Sequence, residues 1–117
     1  MSTKSKKPTS LAEHYIELLA GWAEVSRRSL FGATALYRSG QIFAMVWKGA
    51  LYFKVDEQSR PDYEAADSHT LGYSTKKGED HSLKSYWQVP ADVIEDEEKL
   101  QAWAEIAYQA ARQCAER

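Results

Sequence analysis

Apolar side chains at Leu11, Tyr15, Leu18, Leu19, Trp22 and Val25 recur in steps of three and four. They follow Ser10-Leu-Ala-Glu13, which has the spacing of a capping box, and predict a first helix with one apolar face. From Val25 to Val55 the chain turns to dense β-branched, aromatic and aliphatic residues, broken by Ser39-Gly40 and Lys48-Gly49. Such pairs mark tight hairpins, so three antiparallel strands are predicted here. With those pairs as loops, Tyr37 lies opposite Ile42 and Ala35 opposite Ala44; in the second hairpin Val46 faces Leu51 and Ala44 faces Phe53.

Strict alternation then sorts the region into two faces. One gathers Phe31, Ala33, Ala35, Tyr37, Ile42, Ala44, Val46, Leu51, Phe53 and Val55, and is expected to lie under helices. The other carries Leu30, Gly32, Thr34, Leu36, Phe43, Met45, Trp47, Ala50, Tyr52 and Lys54. A solvated face does not normally collect Phe43, Met45, Trp47 and Tyr52, so these four, with Lys54, are the expected anchors for a macromolecular partner.

Asp56 is placed to cap a second helix reaching about Asp67, with Tyr63, Ala65 and Ala66 for packing and Pro61 limiting its first turn. Thr70 to Lys76 and Ser82 to Val89 read as two more strands around Lys77-Gly78-Glu79-Asp80, and Pro90 ends the sheet. After a turn holding Val93 and Ile94, Asp96, Glu97 and Glu98 form an acidic cap; Leu100, Trp103, Ala104, Ala107, Ala111 and Cys114 then recur at helical spacing. The predicted order is α-β-β-β-α-β-β-α: an α+β fold in which helices pack on an antiparallel sheet of about five strands. Residues 1–9, rich in Ser, Thr and Pro with Lys4, Lys6 and Lys7, have nothing to bury and are expected as a flexible tail before one domain over 10–117.

Composition narrows the function classes. The 117 residues are 44% hydrophobic, enough to bury most of the chain, and the net charge of −2 excludes an autonomous polycation of the kind that grips phosphate backbones. A single cysteine allows no internal disulfide, no C-x-x-C pair and no thiolate zinc site, and no apolar run reaches membrane-spanning length. A cytoplasmic protein is therefore expected. His14, His69 and His81 are scattered without metal-ligand spacing, and the glycines form no phosphate-binding loop. The carboxylates, including Glu95 to Glu98, are explained as caps and solvated faces. No metal, cofactor or enzymatic activity is expected; a small-ligand pocket between sheet and helices is a minor alternative.

Charge is unevenly spread: residues 25–55 hold Arg27, Arg28, Arg38, Lys48 and Lys54 and no acid, a local +5 that the rest of the chain balances at −7. A basic sheet face bearing aromatics is one that single-stranded nucleic acid can meet, so these five define the alternative reading. Strand ends and turns account for Arg38 and Lys48 without a ligand.

Arg28-Ser-Leu-Phe-Gly32, Ala35-Leu-Tyr37, Phe43-Ala-Met-Val46, Gly49-Ala-Leu-Tyr-Phe-Lys-Val55, Tyr73 before Lys76-Lys77-Gly78, and Ser85-Tyr-Trp-Gln-Val-Pro90 occur in an order and spacing that resemble the N-terminal domain of the TfoX/Sxy family of bacterial competence regulators. The resemblance covers about residues 11–115 and rests on Arg28, Leu30, Phe31, Gly32, Tyr37, Phe43, Gly49, Tyr52, Lys54, Tyr86 and Trp87. It departs at Ala33, where the family usually has a second glycine, and full-length members continue into a second, helical domain. It implies helices on an antiparallel sheet, no enzymatic role, and a part in transcriptional control of DNA-uptake genes alongside the cyclic-AMP receptor protein. The resulting expectation is a non-enzymatic module acting by protein contact, as a homodimer or docked on a regulatory partner.

Overall fold

A computed structural model describes residues 11–30, 33–74 and 80–115. The expected tail, the Ser10 cap, Phe31, Gly32 and the Lys77-Gly78-Glu79 turn lie outside the described residues, as do the side chains of Leu30, Tyr73, His81 and Cys114. In chain order the elements are α1 (Leu11–Leu19), β1 (Ser26–Leu30), β2 (Ala33–Arg38), β3 (Gln41–Trp47), β4 (Ala50–Lys54), α2 (Arg60–Ala65), β5 (Thr70–Ser74), β6 (Asp80–Gln88), α3 (Ala91–Ile94) and α4 (Glu97–Ala115). The fold is α+β, and all six strands join one antiparallel sheet in the order β1-β2-β3-β4-β6-β5.

Six strands stand where five were expected, because the apolar stretch before Arg38 is two strands. Leu30 pairs with Ala33, and the ladder runs without interruption back to Ser26 opposite Tyr37. A Phe-Gly pair carries little of the Asn-Gly or Asp-Gly signal of a tight hairpin, so periodicity alone reads straight through it. The two hairpins that were expected do form. Ser39 and Gly40 take φ 52° and 80°, Lys48 and Gly49 take 49° and 81°, the paired positive angles of a turn whose twist matches its strands.

Local capping sets the helices. Asp56 Oδ1 accepts hydrogen bonds from the Gln58 and Ser59 backbone N–H groups at 3.1 and 2.9 Å, which shapes a turn, and α2 starts only at Arg60. Its length is therefore shorter than the predicted span to Asp67, which has φ 60°. At α4, Asp96 Oδ1 accepts from the Glu98 and Lys99 N–H groups, as the acidic cap predicts.

All four helices contribute to one core on one side of the sheet: Tyr15 and Leu19, Tyr63, Val93, and Leu100, Ala104, Ala107 and Ala111 meet Leu36, Phe43, Ala44, Val46, Leu51 and Phe53. The alanine stripe of α4 lets that helix lie close across β3 and β4.

One irregularity corrects the face assignment. In the β2–β3 pairing Leu36 sits opposite Ala44 but Tyr37 opposite Ile42, so Phe43 is a surplus residue in a β-bulge and Ala35 pairs with Met45 rather than Ala44. The bulge turns Phe43 to the helix side, where it is fully buried edge-on to Trp22 at 5.4 Å. It also reverses everything before it. Leu36 joins the helix-side core, whereas Ala33 and Ile42 belong to the opposite face, and Ala35 and Tyr37 follow by register. Past the bulge the alternation holds, with Val46 opposite Leu51 and Ala44 opposite Phe53.

Candidate interaction surface

Seen from β3 and β4, the face turned away from the helices carries Met45, Trp47, Ala50, Tyr52 and Lys54; β6 adds Tyr86, β5 adds Leu71, and β1 and β2 add Arg28, Ala33 and Tyr37. Ala33, Met45, Tyr52, Leu71 and Tyr86 form a second buried cluster, and every one of them comes from a strand. Burial also pushes the Tyr52 hydroxyl above its ordinary 10.

The four expected aromatic and sulfur anchors therefore divide three ways. Phe43 belongs to the helix-side core, Met45 and Tyr52 are only 7% and 6% exposed within the second cluster, and Trp47 is half-buried at its margin. What remains within reach is Trp47 with Ile42, Ala50 and Tyr37, all half-buried. Tyr37, Ile42 and Ala50 were not singled out as contact residues from sequence, and alternation carries no signal for the first two because the bulge changes the phase between them and Met45.

The five basic residues of 25–55 also divide. Arg27 and Arg38 point to the helix side, where Arg27 donates to Glu13 at 2.8 Å and Arg38 to Glu105 at 3.1 Å. Arg38 is further held between the rings of Trp22 and Tyr108, its guanidinium carbon 4.6 Å from each centroid. Glu105 ties this cluster together, accepting from Gln109, Trp22 and Arg38. Hydrogen bonds from Gln109 first, then from Trp22 and the Arg38 guanidinium, hold its carboxyl below the ordinary 4.5.

Arg28, Lys48 and Lys54 remain with the outer face, and each stands over a ring: Tyr37 at 5.8 Å, Trp47 at 4.7 Å and Tyr86 at 5.3 Å. Lys54 also donates to Ser85 Oγ at 3.2 Å. No acid occurs between residues 25 and 55, so β1 to β4 give this face positive charge without internal neutralisation. A cation above a ring at exposed positions is worth about 0.5–1 kcal/mol, which biases these long side chains toward the aromatic surface.

On the opposite side, a cleft of about 350 Å³ between α2 and α4 is lined by residues including Asp56, Ser59, Asp62, Glu105, Ile106 and Gln109. Within it Ser59 Oγ donates to Asp56 Oδ1 at 3.1 Å, and Glu105 serves the Arg38 cluster. Among the described residues no helix is long and apolar enough to cross a membrane, and no three His, Cys, Asp or Glu side chains gather as a metal site.

Fold and surface together define a small α+β domain with one sheet face under helices and the other presenting cations laid over aromatic rings. Residues 17–111 match the family model of the TfoX N-terminal domain, and the chain belongs to that family. No curated protein matches it.

Proposed function

We propose that this chain is a non-enzymatic interaction module, serving competence or transcriptional control, whose outer sheet face takes a protein partner with an acidic surface. The observation that carries the reading is the ring of Arg28, Lys48 and Lys54 around half-buried Trp47, Ile42 and Ala50, on a side of the sheet that no described helix covers. Apolar area in the middle with charge at the margin is the anatomy of a protein interface. The charge also selects the partner: a two-fold homodimer through this face brings like-charged rims together, whereas an acidic partner neutralises them.

A photo-crosslinking residue placed at Trp47, with a control at exposed Ala102 on α4, tests this. Expected are protein adducts from position 47 that disappear when Lys48→Glu and Lys54→Glu are added. Adducts with nucleic acid, or anisotropy showing oligonucleotide binding that falls steeply with salt, establish the rival reading instead. Equal labelling from both positions removes the outer face as a contact site.

A further inference from the structure

The two edges of the sheet differ in a way that points to a second contact mode. At one edge, β5 pairs with β6 through a register shift between Thr70 and Leu71, the kind of irregularity that spoils an edge for further pairing. At the other, β1 is regular: all five residues pair with β2 in continuous register, with no proline and no bulge. Ser26, Arg27, Arg28 and Ser29 are all exposed. A regular edge strand offers a row of backbone donors and acceptors to any extended segment that can approach.

The side chains decide which segment that is. Arg27 and Arg28 face opposite sides of the sheet, being paired with Leu36 on the helix side and Ala35 on the outer side. A second copy of β1 laid antiparallel with full overlap sets Arg28 against Arg28, a like-charge pair directly across a ladder, which is destabilising. Arg27 already has Glu13 as a carboxylate partner; among the described residues Arg28 meets the Tyr37 ring and no carboxylate. A carboxylate on an incoming strand, opposite Arg28, supplies the missing partner and sits at the margin of the outer face.

We propose that β1 is a docking edge that accepts an extended, acidic segment of a partner protein as a seventh strand, with a Glu or Asp opposite Arg28. Backbone pairing gives the attachment and the Arg28 carboxylate pair gives the selection, while pairing between copies is disfavoured by the same residue. This goes beyond the outer-face reading and does not depend on Trp47.

The experiment titrates the full chain, observed by amide NMR, with a capped strand-forming peptide of alternating Thr and Val carrying a central Glu. Its Lys counterpart and versions N-methylated at alternate residues, in both phases, serve as comparisons. Expected are shifts centred on the Ser26 to Leu30 amides with the Glu peptide, and affinity about tenfold weaker for the Lys peptide and for the N-methylated version in one phase, the size of a lost charge-assisted pair or strand hydrogen bond. Arg28→Glu should invert the preference between Glu and Lys peptides, Arg28→Gln should abolish it, and Trp47→Ser should change neither. Both Arg28 substitutions are at an exposed position, and circular dichroism verifies that they fold. Shifts that avoid β1, or equal binding of the N-methylated peptides in both phases, overturn the proposal; so does absence of binding at millimolar peptide. Because Trp47 is not used, this failure is separable from failure of the outer-face reading.

Discussion

Arg38 shows how a charge that looks available in a sequence is consumed by the fold. Its guanidinium lies between Trp22 and Tyr108 and reaches Glu105, joining the end of the β2–β3 hairpin to α4 and to the turn after α1. Arg38→Ala removes both stacking contacts and is expected to cost about 1–2 kcal/mol in urea unfolding, with Arg38→Lys recovering only part of it because an ammonium does not stack as a plane. The same cluster sets a pH dependence. Glu105 has a lowered pKa in the folded chain, so the unfolded chain takes up its proton first as pH falls, and stability contributed by Glu105 is present above the ordinary 4.5 and lost below it. The stability advantage of the wild type over Glu105→Gln should therefore shrink on acidification through that range, as measured by denaturant midpoints. A sequence lists Arg38 and Lys48 as equivalent turn cations; only the packing of Trp22 and Tyr108, 16 and 70 positions away in the chain, separates them.

Turns and strands were legible wherever a local rule governs them. Ser39-Gly40 and Lys48-Gly49 adopt the paired left-handed angles that their spacing predicts, and Gly40 has open space around it, so the demand there is conformational rather than steric. Ser39 pays for that angle as a residue with a side chain, and Ser39→Asn should raise the melting temperature by a few degrees, from about 0.5 kcal/mol. The Asp96 cap and the alanine stripe of α4 were equally readable, since both follow from helix geometry. The β3 bulge was not: an extra residue leaves no mark on composition, and alternation counted through it assigns Ala33, Ala35, Tyr37 and Ile42 to the wrong side. Phe43 and Trp47 make the difference measurable. Phe43→Ala opens a cavity in a closed core and should destabilise by about 3–5 kcal/mol, whereas Trp47→Ala, at a half-open margin, should cost only about 1.

At the scale of the molecule, the sheet separates a large core shared with four helices from a smaller cluster made by strands alone. Burial of this kind makes stability uneven. Amides of β3, β4 and the middle of α4 should exchange only with global unfolding, and those of β1 should exchange through local opening, a pattern that native-state hydrogen exchange resolves. The family and the α+β class were legible because motif order survives small register errors; the contact surface was only partly so, because it depends on which side each strand shows. That sidedness has a genetic corollary. Loss of the single codon for Phe43 would leave Leu36 opposite Ala44 and Tyr37 opposite Ile42 in an unbulged ladder, so Arg28 and Arg38 keep their sides of the sheet while the core loses the ring packed on Trp22. One in-frame deletion thus hollows the core while leaving the displayed charges where they are, which makes the extra phenylalanine a matter of filling rather than of facing.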